Sequence, residues 1–244
     1  MIKFFRHIRK SLLMENNTGK YFKYALGEII LVVIGILIAL SINNWNEQRK
    51  LKQVELKILK EIRADLEFTK TELDTVANYN EIMVSEYKII RDYINKDLPY
   101  NNRLDTSFAQ IDTWHMPYLP FIAYDNLKEK GIDIISNDSL KSQLKNIYEF
   151  HLKILIEDMG KWEWSFNQNT TQRLMVKHIR RDDKYSSNLA RPNDFEKLKK
   201  DDEFRNFLNI LIPIRTDHFE ILNNKSKIIA SFLVDLEKEI ESQE

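Results

Sequence analysis

An uninterrupted apolar run, "IILVVIGILIALSI" from Ile29 to Ile42, constrains this chain more than any other feature. Fourteen residues of helix reach only ~21 Å, short of the ~30 Å hydrocarbon core of a bilayer. Extended to Ala25–Asn44 the segment holds 20 residues, about 30 Å of helix, and spans. Tyr21, Phe22 and Tyr24 before it and Trp45 after it stand where interfacial aromatic belts form. A buried helix of a soluble protein has no need of such matched flanks. The expectation is therefore a transmembrane helix over 25–44. A cleavable signal peptide is the rival, because Ala39-Leu40-Ser41 resembles a small-x-small processing site. Against it, the head is 24 residues long and the apolar stretch continues past Ser41 to Trp45, which favours an uncleaved anchor.

The span carries two further features. Gly27, Leu31, Gly35, Ala39 and Asn43 recur every fourth residue, and Gly35-x-x-x-Ala39 is a small-xxx-small pair that lets two helix backbones approach closely. Gly27, Gly35 and Ala39 are thus the candidate helix-packing residues in the membrane, pointing to self-association. Glu28 lies one turn inside the boundary. It reads either as a boundary carboxylate turned to headgroups or paired with Lys20 or Lys23, or as an intramembrane titrating group for ion or proton movement.

Charge is neutral overall but uneven. Residues 1–24 hold six basic residues against Glu15, a net of +5, leaving −5 on the rest. "MIKFFRHIRKSLLMENN" places Met1, Phe4, Phe5, Ile8 and Leu12 on one helical face, opposite Lys3, Arg6, Arg9 and Lys10. That pattern suits a helix lying in an anionic leaflet. A basic head before a long carboxyl-terminal region predicts the amino terminus inside and residues 45–244 outside the bacterial inner membrane, in the periplasm. No basic stripe with interleaved aromatics recurs later, which argues against nucleic acid as a partner. Cysteine is absent, excluding disulfides and thiol chemistry.

The head, "GKYFKYALGEIILVVIGILIAL" and "INNWNEQRK" together closely resemble a family of bacterial single-pass membrane proteins catalogued only as a domain of unknown function. The likeness continues more loosely through "YDNLKEKGIDIISNDSLKSQLKNIYEFH". It implies one amino-terminal transmembrane helix and a helical extramembrane domain, and it supplies no activity, cofactor or catalytic residue.

Residues 45–244 read as a single all-α domain, an antiparallel bundle of long helices. Only five glycines and five prolines punctuate the chain, and none falls between Ile36 and Leu98. Val54, Ile58, Ile62 and Leu66 step by four, so one helix is expected from Trp45 to Asn95, either separate from the span or continuous with it. Three of the five prolines fall in "DLPYNNRLDTSFAQIDTWHMPYLPF", a crossover with a short helix at Ser107–Thr113. A helix over Ile122–Lys130, stopped by Gly131 as a left-handed cap, and a long helix from Ser136 to Arg181 follow. A polar loop leads to a last helical region, Asp194–Ser242, which Pro213 should kink or interrupt.

No catalytic motif emerges. His7, His115, His151, His178 and His218 are dispersed without ligand spacing and read as surface or half-buried residues. Trp114 and Tyr118 in the crossover, with Trp162 and Trp164 in "KWEW", form the candidate ligand or partner surface, core packing being the alternative. The expected role is non-enzymatic: an anchored envelope protein that self-assembles or binds another envelope protein, with no cofactor. The alternatives are an extracytoplasmic ligand sensor, or a subunit of an ion-conducting or ion-driven assembly using Glu28.

Overall fold

The computed structural model describes residues 18–181 and 188–244. The amphipathic pattern expected of residues 1–17 and part of the polar loop lie outside the described residues. The fold is all-α. Its elements are α1 (Thr18–Asn95), α2 (Leu104–Ala109), α3 (Ile122–Lys130), α4 (Asp138–Asn146), α5 (Lys161–Phe166), α6 (Gln172–His178), α7 (Phe195–Lys199) and α8 (Asp202–Gln243). Between α4 and α6 the chain stays helical but passes through three π-helical segments, π1 (Ile147–Leu152), π2 (Leu155–Gly160) and π3 (Asn167–Thr171). The chain divides into two compact units, Met1–Val54 and Glu55–Glu244.

In the first unit, α1 carries a stretch long and apolar enough to cross a membrane, and none of that window is buried within the fold. Ile29, Leu37 and Ile42 are all more than half exposed. Phe22 and Trp45, at the two ends of the apolar segment, are exposed as well.

In the second unit four legs alternate in direction. Ion pairs and hydrogen bonds fix the register: Lys60 to Glu244, Arg63 to Glu237 and Asp74 to Ser226 set α8 antiparallel to α1. Asn137 to Glu239, His151 to Lys225 and Lys177 to Glu203 set the helical run 138–178 antiparallel to α8. The crossover is the leg that sequence periodicity does not reveal. Tyr87 donates to the Gln110 carbonyl, Glu72 accepts from the Tyr118 amide, Asp65 from the Ala123 amide and Glu55 from the Ser136 amide. Residues 110–136 thus run back along α1 as an irregular strap in which three backbone N–H groups, those of Tyr118, Ala123 and Ser136, are satisfied by α1 carboxylates. The expected antiparallel bundle is present, with one leg built from extended chain and short helices.

Several boundaries differ from the sequence reading. The short crossover helix is Leu104–Ala109 rather than 107–113. The long helix after Ser136 stops at His178, where Ile179–Arg180 pairs antiparallel with Arg191–Pro192. The last region is two helices, each started by an aspartate whose carboxylate accepts from the third amide beyond: Asp194 from Lys197, and Asp201 from Phe204. Pro213 lies inside α8 without ending it, since tertiary packing on both sides outweighs one lost backbone hydrogen bond.

Gly131 ends α3 as expected, but not as a left-handed cap: its φ of 98° is paired with ψ 121°, which leads into a 3₁₀ turn at Ile132–Ile134. No Cβ-bearing residue adopts that backbone without strain. Gly131→Ala should therefore cost about 1–2 kcal/mol in a urea unfolding experiment, although a Cβ there meets nothing within 4 Å. An unchanged midpoint would show that the turn relaxes.

Candidate functional site

The interior of the second unit is two apolar clusters. One gathers α1 residues Ile58–Ala77, the 123–159 region and α8 from Leu222 to Ile240; the other gathers Met83–Ile94, Leu104–Ile111, Leu174–Leu198 and Phe204–Ile212. Polar residues interrupt the apolar stripe of each long helix at the boundary between them: Asn80 on α1, Glu163 and Asn167 on the 138–178 run, and Arg215 and His218 on α8. All five are buried.

Three of these side chains meet. The Arg215 guanidinium donates through Nη1 to Glu163 Oε1, and the same oxygen lies 2.9 Å from His218 Nδ1. Glu163 is 2% exposed and Arg215 4%, so this pair is out of water. Arg215 also interacts with the Tyr87 hydroxyl, which burial pushes up to about 12, well outside physiological titration. Burial lowers Arg215 from its ordinary value, yet a guanidinium starts so high that it remains charged. Burial, and then the nearby Arg215 charge, push His218 down to about 4. At neutral pH the ring is uncharged, with its proton on Nδ1 for Glu163 and a lone pair on Nε2. Two polar atoms of this layer, Arg215 Nε and Asn80 Oδ1, are buried without a hydrogen-bond partner.

The backbone around the layer is irregular on both facing helices. Glu163 sits in a short α-helical stretch between π2 and π3, and Pro213 precedes Arg215 by two residues. π-Helical turns shift side-chain phase and occur often at functional sites. On the outer side, π2, α5 and α8 leave a groove of about 380 Å³ lined by Ile154, Leu155, Asp158, Met159, Trp162, Ile214, Asp217, His218 and Ile221. Its volume falls in the range of small-molecule sites. Its floor is His218, so the groove touches the buried layer directly. Among the described residues no group of three or more His, Asp or Glu is arranged to hold a metal ion.

The four aromatic residues singled out from sequence do not form one site. Trp162 stacks on Phe166 at 4.7 Å and presents an edge contact to His218 at 5.9 Å, so it belongs to the groove. Trp164, two residues on, lies against Trp114 at 6.5 Å and is mostly exposed. Tyr118 packs edge-on against Phe68 further along the crossover and is 67% exposed. Gly27, Gly35 and Ala39 are exposed on α1, and a Cβ at either glycine meets nothing within 4 Å. Glu28 is half-exposed on the same helix. The side chains of Tyr21 and Tyr24 lie outside the described ones.

Glu163, Arg215 and His218 were not singled out from sequence as site residues. Their signal is the gap between Leu211 and Leu222 in the α8 apolar stripe, which Arg215 and His218 fill at core spacing.

No curated protein and no solved structure matches this chain. Residues 28–200, well over half of its length, match the profile of a family of unknown function, DUF6090, and the segment matched starts within the apolar helix and takes in Trp114, Tyr118 and Glu163. The chain belongs to that family.

Proposed function

We propose that this protein is a single-pass inner-membrane protein whose helical domain, on the periplasmic side, works by protein–protein interaction or self-assembly rather than by catalysis. One observation carries this reading: the 25–44 segment is a continuous apolar helix that the rest of the fold leaves uncovered. Burying such a helix in lipid removes the cost of exposing it to water, at roughly 25 cal/mol per Å² of apolar surface. Phe22 and Trp45 mark the interface levels, and Gly27, Gly35 and Ala39 leave a low face for a second helix.

The test is fractionation followed by mass measurement. Full-length protein should stay with the membrane pellet through an alkaline wash, and externally added protease should reach the domain in spheroplasts. Gently extracted protein should then run as a homo-oligomer or with a stoichiometric foreign chain, and Gly35→Leu should weaken a homo-oligomer. Release by alkali sinks the anchor. A monomer with no companion sinks the interaction role.

The groove over His218 favours a second reading, an extracytoplasmic ligand sensor. A ligand seated there would contact the buried polar layer that spans α5 and α8, a route from surface to core.

A further inference from the structure

From the lining of the groove between π2, α5 and α8, we infer a binding site for a small apolar molecule bearing a primary ammonium group. Ile154, Leu155, Met159, Ile214 and Ile221 supply apolar walls, and Trp162 adds an aromatic ring to the lining. The charged groups of the lining are both anionic. Asp158 and Asp217 are exposed carboxylates on opposite helices, and neither Lys nor Arg lines the groove.

His218 completes the chemistry. Its Nδ1 lies 2.9 Å from Glu163 Oε1, and a ring proton held on that nitrogen leaves Nε2 as an acceptor for a donor in the groove. An ammonium offers three N–H donors, enough for His218 and one or both aspartates, while its hydrocarbon part replaces water against the walls. Trp162 provides a π-face for the same charge. A carboxylate or phosphate in this place would meet two like charges and no cationic side chain in the lining. The Arg215 charge, which is felt at His218, is paired with Glu163 and does not itself line the groove.

The groove belongs wholly to the second unit, so binding does not require the membrane anchor. It rests on the sensor reading only for its purpose, and binding is measured apart from any transmembrane response. The experiment uses full-length protein in a mild detergent, titrated with phenethylammonium and followed by ligand-observed NMR and tryptophan fluorescence. Phenethyl alcohol and phenylpropionate are the neutral and anionic controls. Phenethylammonium should bind at least tenfold more tightly than either control. The double variant Asp158→Asn, Asp217→Asn should weaken it about tenfold with an unchanged melting curve, since both carboxylates are exposed. Micelle partitioning is common to both proteins and cancels in that comparison. Equal binding of amine and alcohol, affinity unaltered by the double variant, or no saturable binding at millimolar concentration would each overturn the proposal. Ammonium binding without any signal to a partner would leave the site standing and defeat the sensor reading alone.

Discussion

Arg215→Met should destabilise the helical domain by about 3–5 kcal/mol, the usual cost of leaving one partner of a buried ion pair uncompensated. The side chain lost is 4% exposed and the carboxylate left behind is 2% exposed. The Glu163 carboxylate would keep His218 Nδ1 at 2.9 Å but lose the Arg215 guanidinium, as would the Tyr87 hydroxyl. For a domain of this size that corresponds to a fall in Tm of roughly 10 °C or more. The informative comparison is the triple variant Glu163→Leu, Arg215→Met, His218→Phe. It removes the three side chains that meet and should recover most of the loss, because well-packed apolar residues often match or exceed a buried pair. The layer is then a device for register and response, and the two flanking apolar clusters supply the stability. Urea unfolding of the three proteins decides it. A loss below about 1 kcal/mol in Arg215→Met would mean that water reaches Glu163, and the buried pair would have to be abandoned.

Much of the architecture was legible because helices write their faces into the sequence. The step-by-four apolar residues of α1, the Ile122–Lys130 helix and the asparagine cap before α4 each follow from local chemistry. The strap of residues 110–136 was not legible as a bundle leg. Its contacts are single carboxylates, Glu55, Asp65 and Glu72, reaching backbone amides more than forty residues away, and such pairings leave no periodic trace. The three π-helical segments were hidden for a related reason. An extra residue per turn shifts the phase of the apolar stripe, and 138–178 still reads as helix on either period. The polar layer was half visible. Breaks in the stripe at Asn80, Glu163 and Arg215 could be counted on each helix, but that Glu163 faces Arg215 depends on the relative register of two helices. Trp162 and Trp164 behave alike: two residues apart in sequence, they make contacts on different sides of one helix.

Stability should fall as pH drops from about 6.5 toward 4, and His218 should be a principal cause. Its folded-state value of about 4 lies below the ordinary 6.5, so between those limits the unfolded chain binds more protons than the folded one. The stabilisation is fully present above pH 6.5 and is lost as pH falls through the folded value. The difference sets an upper bound of about 3 kcal/mol, at 1.36 kcal/mol per pKa unit. The bound is upper because the groups around the ring pull in both directions: burial and Arg215 disfavour its charge, while Glu163 at 2.9 Å and the Asp217 carboxylate favour it. His115, His151 and His178 are also lowered by burial and add to the same slope, so the effect has to be read as a difference. His218→Phe isolates it: the gap in unfolding free energy between parent and variant should narrow steadily from pH 7 to pH 4.5. The carboxylates held down by ion pairs, Asp201 and Glu203 among them, begin to contribute only at the acid end of that window, because their unfolded values are 3.8 and 4.5. Parallel curves for the two proteins would remove His218 from the acid response. The same protonation takes away the Nε2 acceptor and places a positive charge on the groove floor. Affinity for an ammonium ligand must therefore decline over the interval in which stability declines, and a bound ammonium must in turn hold the ring neutral to lower pH.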